Sequence, residues 1–168
     1  MAFAQSSPPT AEEIAELSDG LYSVTKFDDG TFSDIVLVAN VTADTIANKR
    51  HVDTTALKTR SLPNPKIGCA TNRQINLDES YAAYLMLADW CNSGNQAGGI
   101  TVIFTKVQTA QWYFCNYASH AQSCSEGELS DTWDLVDLGC GDRIAGWVVI
   151  DDWAKSFGRD NNGVGECW

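Results

Sequence analysis

The sequence predicts an α+β fold: a mostly antiparallel sheet with two main helices on one face, stapled by disulfides. Three observations carry this. Two pairs of β-rich runs flank short turns, "LYSVTKF-DDG-TFSDIVLVANV" and "ITVIFTK"/"AQWYFCNY". Two segments, opened by Asn76 and Ser125, repeat apolar side chains at the helical period and end on Cys91 and Cys140. Six cysteines, Cys69, Cys91, Cys115, Cys124, Cys140 and Cys167, are spread over the second half with no pair closer than nine residues.

From the N-terminus, "QSSPPT" reads as a tail. "TAEEIAEL" opens a short helix that should end near Gly20, with Thr10 and Glu13 spaced as a capping box. Residues 21–41 form a hairpin about Asp28-Asp29-Gly30, because Asp-Gly between β-rich runs is a strong turn signal. Residues 44–66, with weak periodicity, several Thr and two prolines, read as a connecting loop. "KIGCAT" is a short strand leading to Asn76, which caps a helix with Glu79 reaching back. On that helix Leu77, Tyr81, Tyr84, Leu85, Ala88 and Cys91 share one face, and Trp90 lies opposite Tyr81, away from the core. "NSGNQAGG" ends it, and a second hairpin turns near Val107-Gln108. Ser125 and Glu128 repeat the capping box, and Leu129, Trp133, Val136 and Cys140 form a narrow apolar face. "RIAGWVVI" reads as a buried strand, and "FGRDNNGVGECW" as a loop with a tied-down terminus. The chain is read as a single domain over 1–168, in which 1–65 extend a cysteine-containing core of 66–168.

The 168 residues are 44% hydrophobic and 20% charged, enough for one sizeable core. No apolar run approaches the roughly 18 residues a bilayer-crossing helix requires, so no membrane insertion is expected. The net charge is −11, with six Lys/Arg against nine Asp/Glu in residues 1–68 and five against thirteen in 69–168. Such a surface repels phosphate backbones, which excludes nucleic acid as a partner.

An even set of cysteines without CxxC spacing fits neither a zinc site nor a redox motif. It points instead to three disulfides and an oxidising compartment. Asn40-Val41-Thr42 is a glycosylation sequon, with Asn40 the acceptor. Met1 is followed by "AFAQSSPPT" rather than a basic segment and apolar stretch, so the expectation is a mature secreted chain. Lys49-Arg50 is read as an exposed basic pair rather than a processing site. Both Cys91 and Cys140 face the core from helix ends and are paired on that ground. Cys115 and Cys124 pair across a strand-to-helix turn, which leaves Cys69 with Cys167 to tie the tail to the first strand of the core.

Catalytic sets are sparse. A nucleophile–base pair needs a His, and the chain offers only His51 and His120, without a GxSxG elbow. Asp151-Asp152 follow a strand and an aromatic residue, as glycosidase acids do, but Asp is also a common turn former and a strand-to-turn cap is the plainer reading. "DNNG" at 160–163 lacks the ligand alternation and distal Glu of an EF-hand, so neither metal nor cofactor is expected. Six tryptophans are the unusual feature of the composition. Trp133 and Trp147 belong to the core, and Trp90 is either an exposed contact for recognition or covered by a second packing layer.

The second half carries a recurring pattern: "IGCAT", a helix ending "LADWC", an aromatic hairpin with "YFCNY", "SCSEGEL" opening a helix that closes in "LGCGD", and a C-terminal cysteine. Over about residues 66–168 this resembles the fungal killer-toxin-like and necrosis-inducing effector proteins. The resemblance implies a secreted, disulfide-bonded, non-enzymatic α/β sandwich that acts on competing fungi or host plants by binding an extracellular protein or glycan. Residues 1–65 have no counterpart in the pattern, and they offer an extra pair of strands to the same sheet. Two other readings stand beside it: a carbohydrate-binding or wall-active protein that uses surface Trp with Asp151 or Asp152, and a protease inhibitor presenting residues 44–66.

Overall fold

The structure, a computed structural model, describes residues 5–40, 62–161, 163, 167 and 168. In chain order it contains α1 (Ala11–Ala15), β1 (Gly20–Thr25), β2 (Val36–Asn40), β3 (Lys66–Gln74), α2 (Leu77–Asn92), β4 (Gln96–Ala97), β5 (Thr101–Val107), β6 (Ala110–Asn116), β7 (Gln122–Ser123), α3 (Glu126–Cys140), β8 (Ile144–Ile150), a 3₁₀ turn (Asp151–Trp153) and β9 (Lys155–Asp160). Seven strands form one sheet in the order β2-β1-β5-β6-β9-β8-β3, and every neighbouring pair is antiparallel. The N-terminal hairpin joins this sheet through β1 and β5, where Tyr22 opposes Phe104 with rings stacked at 5.4 Å. β4 and β7 make a separate two-stranded ribbon.

The central strands β5 and β6 are buried at every residue, as strands covered on both faces must be. Alternation divides their side chains. Ile103, Trp112 and Phe114 point into the core under α2 and α3, with Val148, Phe157, Leu87, Leu129 and Val136. Val102, Phe104, Tyr113 and Cys115 point to the opposite face, which Ile14 of α1, Phe32 and the terminal Cys167 and Trp168 cover. The two long helices thus share one face as expected, and α1 lies on the other.

Local signals explain the helix ends. Thr10 and Glu13 make both halves of a capping box, although α1 stops after five residues rather than near Gly20. Asn76 accepts from the N–H groups of Asp78 and Glu79, and Ser125 from that of Glu128. The two acidic partners do not reach back. The Glu79 carboxylate instead accepts from Thr109 N–H at 2.9 Å, in the β5–β6 turn, and that of Glu128 accepts from Lys155 at 3.0 Å. Each converts a local cap into a tertiary tie.

Three expectations are corrected. The segment read as loop before the terminus is β9, a central strand between β6 and β8. Its loop-like residues have tertiary roles: a Cβ on Gly158 would lie 2.3 Å from Tyr113 Oη, and Arg159 is fully buried against Asp137 at 2.6 Å. Trp90 does not stand clear of the core but is half-buried against it, because α2 is buried without a break from Ala82 to Ala88 and so has core on more than one side.

The disulfide pairing is the third. The bonds are Cys69–Cys140, Cys91–Cys124 and Cys115–Cys167, with Cα separations of 5.5, 4.9 and 5.6 Å, in place of Cys69–Cys167, Cys91–Cys140 and Cys115–Cys124. Cys91 ends α2 where α3 begins, as the Asn92–Glu126 hydrogen bonds at that junction show. Cys140 lies at the far end of a 15-residue helix, roughly 22 Å away at 1.5 Å per residue. Cys115 sits on the sheet face opposite the helices, so it meets the tail rather than Cys124. Cys140 closes instead on β3, where its Sγ lies 3.5 Å from the Gly68 carbonyl oxygen.

Candidate binding cleft

At the end of the sheet where β6 finishes and β9 begins, four short segments surround an open cleft of about 630 Å³. β4 supplies Gln96, the 118–123 segment supplies His120, Gln122 and Ser123, α3 supplies Glu128, and the turn after β8 supplies Asp152 and Trp153, followed by Lys155 at the start of β9. These residues come from separate parts of the sequence, and a single buried side chain assembles two of the walls. Asn116, 2% exposed, donates from Nδ2 to the carbonyls of Gly98 at 2.7 Å and His120 at 2.8 Å, and accepts on Oδ1 from Ala118 N–H. The walls approach so closely that a Cβ on Gly99 would lie 2.4 Å from the Ser119 carbonyl oxygen.

Backbone strain collects here. Ile100 has φ 48° and bonds to the Ala118 carbonyl through its N–H, while Ala154 has φ 49° and ψ 45° and closes the 3₁₀ turn. A positive φ at a β-branched residue is an outlier that surrounding structure must impose. Trp153 is anchored by its backbone, whose carbonyl accepts from Gln122 Nε2 at 2.9 Å, and the next carbonyl accepts from Tyr117 N–H. Its ring remains 39% exposed.

The charged groups are mostly engaged. Lys155 donates to the Ser123 carbonyl at 2.7 Å and to Glu128 at 3.0 Å, and its ammonium lies 5.7 Å from the Phe114 ring centre and 5.6 Å from that of Trp153. Asp152 accepts from Asn64 Nδ2 at 3.0 Å. Asp151 pairs with Lys66, and that hydrogen bond, with the carboxylate charge, raises the lysine above its ordinary pKa. Neither aspartate caps the turn with its side chain; the two carboxylates instead tie it to Asn64 and to Lys66 at the start of β3. By contrast, the indole N–H of Trp153, the imidazole of His120 and the Gln96 amide make no hydrogen bond among the described residues.

Of the residues singled out from sequence, Asp152 lines this cleft, whereas Asp151 and Trp90 do not. Asn40 is exposed at the end of β2, as a glycan acceptor requires; Lys49-Arg50, His51 and most of the 44–66 loop lie outside the described residues. Sequence reasoning missed Trp153, although the adjacent Asp-Asp-Trp run was the available signal. Nothing local marked Gln96, and Glu128 was marked only as the acidic partner of a helix cap. No group of His, Cys, Asp and Glu among the described residues is arranged to hold a metal ion, and no helix there is long and apolar enough to cross a membrane. Compared with protein-family models, curated proteins and solved structures, the chain matches none.

Proposed function

We propose that this chain is a secreted, non-enzymatic protein of the effector or toxin type that acts by binding a host or competitor molecule through the Trp153 cleft. The observation that carries the reading is how the charged side chains are used. Glu128 with Lys155, Asp152 with Asn64 and Asp151 with Lys66 hold the walls together, whereas a general acid or base must be placed to exchange a proton with substrate. What the cleft offers a visitor is an aromatic surface held in place by its backbone. The pairing of all six cysteines supports the extracellular setting.

The test is a leaf-infiltration and fungal growth-inhibition assay with the purified chain and two folded variants. Asp151→Asn/Asp152→Asn keeps an oxygen acceptor at each position, so a binder loses no more than a few-fold in potency. General acid–base catalysis would lose about 10²–10⁴-fold. Trp153→Ala should abolish the effect. A wild-type chain that degrades wall polysaccharide, with the effect lost in the folded double Asn variant, would overturn the reading in favour of a hydrolase.

A further inference from the structure

Resting on that binding reading, we propose that the cleft is a subsite for one neutral pyranose residue of an extracellular glycan, stacked on Trp153. A sugar ring has an apolar C–H face and a rim of hydroxyls that both donate and accept. It therefore requires an aromatic plate ringed by mixed hydrogen-bonding groups at the edge. The cleft supplies that combination. Trp153, 39% exposed, is the plate, and Gln96, His120 and Asp152 line the same cleft.

Charge selects among ligands of this shape. With Glu128 neutralised by Lys155, an anionic sugar would meet the charge of Asp152 on a chain of net charge −11. At the Trp153 ring a cationic ligand would compete with the Lys155 ammonium, already 5.6 Å from the ring centre. A neutral ligand meets neither obstacle. The volume of about 630 Å³ leaves ample room for a pyranose ring on Trp153, and the open shape suits an internal residue of a chain. Preorganisation by Asn116 and by the strained Ile100 and Ala154 means that little ordering remains to oppose binding.

The experiment titrates the full chain with neutral oligosaccharides (β-1,3-glucan, cello-, chito- and manno-oligomers) and with oligogalacturonate, following the tryptophan indole N–H resonances by NMR. The proposal expects one indole resonance to move with a neutral sugar, affinity to fall at least tenfold in Trp153→Ala and a few-fold in Gln96→Ala, and oligogalacturonate to bind at least tenfold more weakly. No movement with any neutral oligomer, movement that persists in Trp153→Ala, or preference for oligogalacturonate overturns it. The two proposals fail separately. Loss of biological effect in Trp153→Ala without any sugar binding refutes the glycan and leaves the binding function. Sugar binding lost in Trp153→Ala while the biological effect is retained refutes the cleft as the functional site.

Discussion

Arg159 is fully buried, and the cost of removing its counter-charge follows from its surroundings. Its Nη2 lies 2.6 Å from Asp137 Oδ1, its guanidinium donates to the carbonyls of Ile144 and Gly141 at 3.2 and 3.0 Å, and it stacks 5.2 Å from the Trp133 ring centre. Trp133 Nε1 donates to the other oxygen of Asp137 at 2.8 Å. Asp137→Asn keeps the volume but leaves a cation with no anion in a dry site. Breaking a buried pair costs about 3–5 kcal/mol, and the side chain of Asp137 is 32% exposed, which places the expected loss near the lower end, about 3 kcal/mol. Arg159→Met removes the cation and leaves a carboxylate that water can reach, so about 2 kcal/mol is expected. The double variant should be no worse than Asp137→Asn alone, because without the cation the anion has nothing to neutralise. For a chain of this size, about 3 kcal/mol corresponds to roughly 6–12 °C in Tm. The assay is guanidinium and thermal unfolding of the four proteins with disulfides intact, read as a double-mutant cycle. Additive losses, or less than about 1 kcal/mol for Asp137→Asn, would refute the reasoning.

Three further outcomes follow from the packing. Gly68→Ala would put a Cβ 2.2 Å from the Trp147 ring, so overpacking of about 1–3 kcal/mol or more is expected, visible as a fall in Tm. Peptide mapping should recover Cys69–Cys140, Cys91–Cys124 and Cys115–Cys167; by loop closure the first, spanning 71 residues, contributes most, about 4 kcal/mol, and its removal as a Cys→Ala pair should lower stability more than removal of the 33-residue Cys91–Cys124 loop. Burial, and then the charge of Glu126, hold the Tyr84 phenol above its ordinary pKa, so its contribution to stability is complete below about pH 10, the unfolded value, and is lost as pH rises beyond it. Ultraviolet titration should show fewer tyrosines ionising with the main group than after denaturation, and Tyr84→Phe should shrink that difference by one.

The candidate cleft was barely legible in the sequence because it is a product of chain reversals. Gln96, His120, Glu128 and Trp153 meet only after β4 pairs with β7 and Asn116 gathers the loops between them. Asp152 was legible through its neighbour and its place after a strand, and its cleft position follows from that place. Of the two readings of Trp90, the second packing layer holds, because α2 is buried on more than the one face that periodicity reports.

Local chemistry in the sequence determined the elements: Thr10, Asn76 and Ser125 as caps, alternation and Asp-Gly turns as hairpins, and an even, well-spaced set of cysteines as three staples. These signals act within a few residues, where propensity and hydrogen bonding are decided. Tertiary structure alone decided what depends on which face meets which. Both faces of β6 are apolar, so the parity of Cys115 was fixed but its side of the sheet was not, and with it went the pairing of every other cysteine. β9 shows the same limit in its plainest form. Gly158 and Arg159 break the pattern of a strand, and they stand in one because Tyr113 and Trp147 press against the glycine and Asp137 neutralises the arginine.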